Sequence, residues 1–323
     1  KRYNNVKYVV VDEVDACLLN NAGSMSAKLS SSTLHELLSK YLSPTFDDGS
    51  SEEGDGLIRD VSRKAHSRPL SQQRQTIFAS ATIPQHRHFM KQCTQNQWTL
   101  GEPVHVCLQS GEQLMPGRLD HAFMVCASSD KKLTALRKVM KRISDSIQSA
   151  PKENGLPKSK KLIIFCETNR PVEEMALALA SDLDGSLVWR ESLDSKEEIG
   201  KTAIISVLRY EDSLSKRAAA MDSFRGERFV DLGKDVKLPQ IRVLLASGDL
   251  GARGLDIEDI THVIHFDLPP DVDTYVHRAG RTGRFNRAGN VLSIITPEQE
   301  FVLKRITNKL NIPTKCLGRQ HKR

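Results

Sequence analysis

Short apolar runs recur along the chain, separated by polar stretches long enough to hold a helix. The first, Val6 to Val11, is closed by acids and predicts a strand covered on both faces in a parallel sheet. A second short strand is expected at Gln75 to Ala79, a helix from about Gln85 to Gln95, and a third strand near Val104 to Leu108. Between the first two strands, Asp47 to Gly56 (DDGSSEEGDG) has too little apolar content to pack and reads as a disordered acidic insertion.

From His121 onward the rhythm is that of βαβ units. Strands are expected at Ala122 to Cys126, Leu162 to Cys166, Ala203 to Leu208, Ile241 to Ala246, His262 to His265 and Val291 to Ile295. Helices are expected near 131–147, 172–183, 213–224 and 297–310, with surface loops at 151–161 and 227–240. The pattern divides the chain into a first domain at 1–108, a linker at 109–120 and a second domain at 121–323. Three strand candidates are too few for a parallel sheet that needs both faces covered, so the first domain reads as partial. The expected fold class is α/β, with two parallel-sheet domains.

Composition narrows the classes. A chain of 323 residues with 39% hydrophobic content can bury a core in each of two domains. No run of 18 or more apolar residues is present, and Lys1 to Asn5 opens no apolar stretch that could be a signal peptide, so a membrane partner is not expected. The chain does not begin with Met and enters its first strand almost at once, so it reads as lacking an upstream part. The six cysteines, at 17, 93, 107, 126, 166 and 316, form no Cys-x-x-Cys pair, which favours a reduced compartment. A formal net charge of +7 is compatible with a polyanion partner.

Several clusters could carry chemistry. Asp12-Glu13-Val14-Asp15 directly follows the first strand, and ligands in open α/β sheets bind at the carboxyl ends of strands. Asp12 and Glu13 are placed there to hold Mg²⁺ through water and to orient an attacking water, although the same tetrapeptide could be a solvated turn. Ser80-Ala81-Thr82 sits at the end of the next strand, where its hydroxyls could bond the acids or merely cap the helix that follows. Ala252 to Asp256 (ARGLD) follows the strand at 241–246, with Gly248, Gly251 and Gly254 allowing close backbone approach to a phosphate or ribose. His277 to Arg284 (HRAGRTGR) then spaces arginines at 278, 281 and 284, fit to neutralise charge on a transferring phosphoryl group. His262-x-x-His265 is a poor metal pair, and Asp267-Leu268-Pro269-Pro270 is most simply a turn.

Taken in order, these segments resemble the motifs of DEAD-box RNA helicases from the acidic box onward. Asp12-Glu13-Val14-Asp15 is similar to the DEAD box with Val for Ala, and Ser80-Ala81-Thr82 to the motif that couples the two domains. Ile164 to Arg170 (IFCETNR) resembles the first RNA-contact motif of the second domain, which implies backbone-phosphate contacts from Thr168 and Arg170. In the next motif the usual His-Gly-Asp is replaced by Arg209-Tyr210-Glu211, and only Arg217 carries over as an RNA contact. Asp249 to Asp256 resembles the motif that touches both ligands, implying Asp256 at the ATP ribose and Gly254 near RNA; Gly248 stands where Thr is usual. His277 to Arg284 matches the arginine-finger motif, implying Arg281 and Arg284 at the γ-phosphate and His277, with Asp15, among the nucleotide-side groups.

The resemblance implies two RecA-like domains, ATP and Mg²⁺ as cofactors, RNA as partner, and a monomer. Phe78 to Met90 and Phe301 to Leu303 also look like a plant chloroplast member, implying that compartment. No Gly-x-x-x-x-Gly-Lys-[Ser/Thr] phosphate cradle occurs in the sequence; the family carries it upstream of the acidic box, so the chain reads as cut before it and as weak in ATP hydrolysis by itself. Two alternatives remain: a non-enzymatic RNA or protein adaptor, and a DNA-directed motor of the same superfamily.

Overall fold

The computed structural model describes residues 6–14, 33–42, 74–80, 86–99, 101–106, 115, 117–149, 159–188, 202–226, 240–251, 257 and 259–319. The chain separates into two compact units, Lys1–Gln109 and Ser110–Arg323.

In the first unit, β1 (Tyr8–Val11) pairs in parallel with β2 (Gln75–Phe78). A short helix, α1 (Thr33–Glu36), continues into a π-helical turn at Leu37–Tyr41, and α2 spans His86–Gln95. Val9, Val11, Val14, Leu38, Phe89, Cys93 and Trp98 form the core of this unit. Trp98 is anchored by its indole N–H, which donates to Ser39 Oγ at 3.1 Å. The other face of β1 is exposed: Tyr8 is 63% and Val10 64% accessible. The expectation of a strand buried on both faces is thus corrected, because apolar cover lies on one side of the two-stranded sheet. Of the strand expected near Val104 to Leu108, residues 104–106 form no strand and Val104 and Val106 are exposed, while 107–108 lie outside the described residues.

The second unit is a parallel eight-stranded sheet. Its strands are β3 (Leu119–Val125), β4 (Lys160–Cys166), β5 (Gly185–Val188), β6 (Ala203–Leu208), β7 (Ile241–Ser247), β8 (Ile260–His265), β9 (Gly289–Ile295) and β10 (Lys315–Arg319). Their order is β10-β3-β9-β8-β4-β7-β6-β5. Helices α3 (Lys132–Ser149) and α4 (Val172–Leu183) cover one face; α5 (Leu214–Arg225), α6 (Val272–Ala279) and α7 (Glu300–Lys309) cover the other. The pleat of β4 divides its residues between them. Leu162, Ile164 and Cys166 join the core under α3 and α4, whereas Ile163 and Phe165 join the core under α5 to α7. Each is fully buried, which explains the unbroken apolar run.

Two local features matter for the site. The glycines of the arginine-rich segment do not lie inside a helix: α6 stops at Ala279, Gly280 is its C-cap, and Gly283 adopts a left-handed φ of 73°. In addition, Asp271 caps α6 by accepting from Thr274 N at 2.7 Å, so the Asp-Leu-Pro-Pro turn leads into a helix. The acidic insertion at 47–56 and the stretches 151–158 and 227–239 lie outside the described residues.

Candidate nucleotide and nucleic-acid site

The chain order of the sheet makes a crevice. From β4 the chain runs to the β5 edge and returns through β6 and β7, then crosses to β8 and β9 on the other side of β4. At such a reversal the loops after neighbouring strands part and leave room for a ligand at their carboxyl ends. The loops after β4, β7 and β8 carry Glu167 to Arg170, Gly248 to Asp249 and Phe266 to Asp267.

Asp267 ties these loops together. Its carboxylate accepts from Glu167 N at 3.0 Å and, as a two-pronged pair, from Arg170 Nε at 2.9 Å and Nη2 at 2.7 Å. Lys132 Nζ lies 3.6 Å away and donates to the Phe266 carbonyl at 3.1 Å. The Asp267 carbonyl accepts from Arg278 Nη1 at 3.1 Å, and Arg278 in turn holds Asp249 Oδ1 through Nε and Nη2 at 3.0 and 2.8 Å. The Arg278 guanidinium also stacks over Phe165, 5.0 Å from the ring centroid. One chain of contacts therefore runs from the loop after β4 through the loop after β8 to the end of α6 and the loop after β7.

Burial sets the electrostatics. Lys132 and Asp267 are 1% and 2% accessible at their side chains. Burial alone would raise the Asp267 carboxyl, but the hydrogen bonds from Arg170 and Glu167 N–H and the charge of Lys132 outweigh it and hold it below its usual range. Burial pulls the Lys132 ammonium down against the opposing charge of Asp267. Arg170 is the partly open member, its side chain 28% accessible.

The other expected site residues fall as follows. Thr168 lies in the loop after β4, where its carbonyl accepts from Ser247 Oγ at 3.3 Å. Arg217 lies in the first turn of α5, half-buried, with a buried Nε that has no hydrogen-bond partner. His277 is buried in the last turn of α6. Arg281 Nε donates to the His277 carbonyl and Arg284 Nε to the Gly280 carbonyl, both at 3.2 Å, so the backbone released by the two glycines orients both guanidinium groups. Thr282 between them is buried and donates to the Ile260 carbonyl at 2.6 Å, fastening the segment to the sheet. Gly254 and Asp256 lie outside the described residues.

In the first unit Asp12 is exposed at the end of β1, and its Oδ1 accepts from Glu13 N at 2.8 Å, with Glu13 at a φ of 50°. Val14 N donates to the Ala79 carbonyl and Ala79 N to the Val11 carbonyl, which ties the acidic segment to the strand end next to Ser80. Asp15 and Thr82 lie outside the described residues.

The family model for the helicase conserved C-terminal domain matches residues 145–286. That span holds β4, β7, β8, α6 and the whole Asp267 network except Lys132. The chain is 35% identical over 241 residues to "DEAD-box ATP-dependent RNA helicase 58, chloroplastic" of Arabidopsis thaliana, covering 73% of this chain and 43% of that protein. The chain belongs to the DEAD-box RNA helicase family. It is the C-terminal part of the DEAD-box pattern that it carries. The rice protein of the same name is 30% identical over 240 residues, covering 73% of this chain and 47% of that protein. The chain thus spans under half the length of these DEAD-box relatives. Among solved structures, Mss116p bound to ssRNA and AMP-PNP superimposes with a TM-score of 0.60 at 18% identity, covering all of this chain and 51% of that one. S. cerevisiae Dbp5 bound to RNA and ADP BeF3 gives 0.56 at 20% identity, covering 97% and 59%. These likenesses bear on the fold and agree with RecA-like α/β architecture.

The sequence reading passed over Asp267 and Lys132 as members of the site, and gave Asp249 only as the start of a motif. Asp267 had one available signal: an acid directly after an apolar strand, the same logic that singled out Asp12. Lys132 had none, since a lysine opening an amphipathic helix is ordinarily solvated.

Proposed function

We propose that the chain acts within an ATP-dependent RNA helicase, the second unit gripping the backbone of a single RNA strand and presenting arginines to the nucleotide. The observation that carries this reading is one chain of contacts through three segments that resemble family motifs: Glu167 N–H and Arg170 meet the Asp267 carboxylate, Arg278 meets the Asp267 carbonyl, and Arg278 also holds Asp249. Thr168, Arg170, Arg217 and Gly254 hold the strand through its phosphates, a readout of backbone rather than base edges. Because Arg170 and Arg278 meet Asp267, a shift of the strand at Arg170 is felt at the end of α6, from which Arg281 and Arg284 extend.

The residues suit the cofactors the family implies. Two guanidinium groups three residues apart, oriented by backbone carbonyls, fit the charge of a γ-phosphate, and an exposed Asp12 beside a half-buried Glu13 at a strand end fits a hydrated Mg²⁺. Bound ATP and Mg²⁺ would supply the transferable phosphoryl group and the charge that polarises it. Asp12 holds the hydrated cation, Glu13 orients water, Asp256 binds the ribose, Asp15 and His277 are further nucleotide-binding groups, and Ser80 and Thr82 relay the state of the acids. The compartment is the chloroplast, and the protein acts as a monomer.

These 323 residues contain no Gly-x-x-x-x-Gly-Lys-[Ser/Thr] segment, so by themselves they hydrolyse ATP weakly. The test is RNA-stimulated hydrolysis by this chain beside a protein that also carries such a segment. Activity only in the longer protein supports the reading; activity in neither favours a non-enzymatic RNA-binding adaptor, and equal stimulation by DNA favours the DNA-directed motor.

A further inference from the structure

Gly248 and Tyr210 come from different loops and meet at one point. Gly248, directly after β7, has a left-handed φ of 62°. A Cβ built there would lie 2.9 Å from Thr168 Oγ1 and 3.0 Å from Tyr210 Cε2, so a side chain at 248 would displace one or the other. The ring of Tyr210 and the hydroxyl of Thr168 therefore share the space beside Gly248, within about 6 Å of each other. Tyr210 is nevertheless 51% accessible.

The loop that carries the ring is fixed at both ends. Arg209 forms a two-pronged pair with Asp212, at 3.1 and 2.7 Å, and a second ion pair with Glu173 of α4. Ser213 caps α5 by accepting from Lys216 N at 3.3 Å. The basic residue of this loop is thus paired within the protein, and Tyr210 is exposed beside it, as is the Glu211 that follows. A half-exposed aromatic ring on a braced loop, beside the hydroxyl proposed above to meet a phosphate, suits the holding of single-stranded nucleic acid through base stacking.

We propose that Tyr210 is a stacking platform for one base of the bound strand, adjacent to the phosphate held at Thr168. This rests on the proposed RNA-contact role of the carboxyl edge and adds to it a base contact that phosphate readout does not contain. Gly248 is the residue that makes room for the ring.

The test measures binding of the 323-residue protein to single-stranded RNA decamers, each with one abasic nucleotide that keeps its ribose and phosphate. For the unaltered protein, affinity falls about tenfold when the abasic site reaches one register position, and changes little at the others. Tyr210→Phe keeps that pattern. Tyr210→Ala weakens the intact strand about tenfold and is no longer sensitive to the abasic site, with an unchanged thermal midpoint. Thr168→Ala weakens every strand alike. Equal affinity of the unaltered protein for all decamers overturns the platform whatever the variants do, and so does Tyr210→Ala binding the intact strand as tightly as Tyr210. If the unaltered protein binds none of the strands, the RNA-contact reading falls, and the platform with it.

Discussion

The two acids that follow parallel strands, Asp12 after β1 and Asp267 after β8, stand in opposite surroundings. Asp12 is exposed and bonds the neighbouring backbone N–H. Asp267 is buried with Arg170 and Lys132 beside it and Glu167 N–H donating to it. The same contrast runs through the strands: β1 covers one face and exposes Tyr8 and Val10, whereas β4 is buried on both. Burial turns an acid into a joint between loops; exposure leaves it available to a ligand. The first arrangement contributes to stability, the second costs little to change.

The largest effect should come from Asp267→Ala. It leaves Lys132 and Arg170 without their counter-charge in a buried site and is expected to cost about 3–5 kcal/mol, read by chemical denaturation. Asp12→Ala should leave the unfolding midpoint where it is. If both variants unfold alike, the contrast between the two acids is wrong.

Acid should act through the second unit next. Burial holds His121 and His262 down at about 4 and His265 well below its usual value. Folded-state values below the unfolded value of about 6.5 mean that the unfolded chain takes up protons first as the pH falls. Stability is therefore complete above about pH 6.5 and declines between there and pH 4, by about 2 kcal/mol at pH 5 for each of His121 and His262. Urea melts across that range check the sign; a rise in stability on acidification would contradict it. Helix caps come after: Asp271→Ala removes the acceptor for Thr274 N and should cost about 1 kcal/mol. Smallest of all, Val10→Thr on the exposed face of β1 should change stability by under about 0.5 kcal/mol.

Legibility followed burial. β4, β6, β7 and β9 were readable because strands covered on both faces need largely apolar runs, and the structure differs there only by a residue or two at the ends. β5 and β10 were missed: both sit at sheet edges, are short, and carry polar residues that match a loop as well as a strand. α6 was missed because prolines precede it and Gly280 ends it after eight residues, too short a span for a clear helical period. At the site, the arginine-rich segment was legible as chemistry, but the buried role of Arg278 was not, since nothing local distinguishes it from Arg281 and Arg284. Asp267 read as a turn because its partners lie 97 and 135 residues away in sequence, at Arg170 and Lys132.

The most direct measurement is hydrogen exchange of the 323-residue protein with and without single-stranded RNA. A strand gripped at the carboxyl ends of the sheet slows exchange at 167–170, 210–217 and 248–251. It leaves unchanged the groove at the opposite end, lined by Leu119, His121, Val139, His262 and Leu317. Protection confined to that groove, with the three loops unaffected, would contradict placing the RNA contact at the carboxyl ends of the sheet.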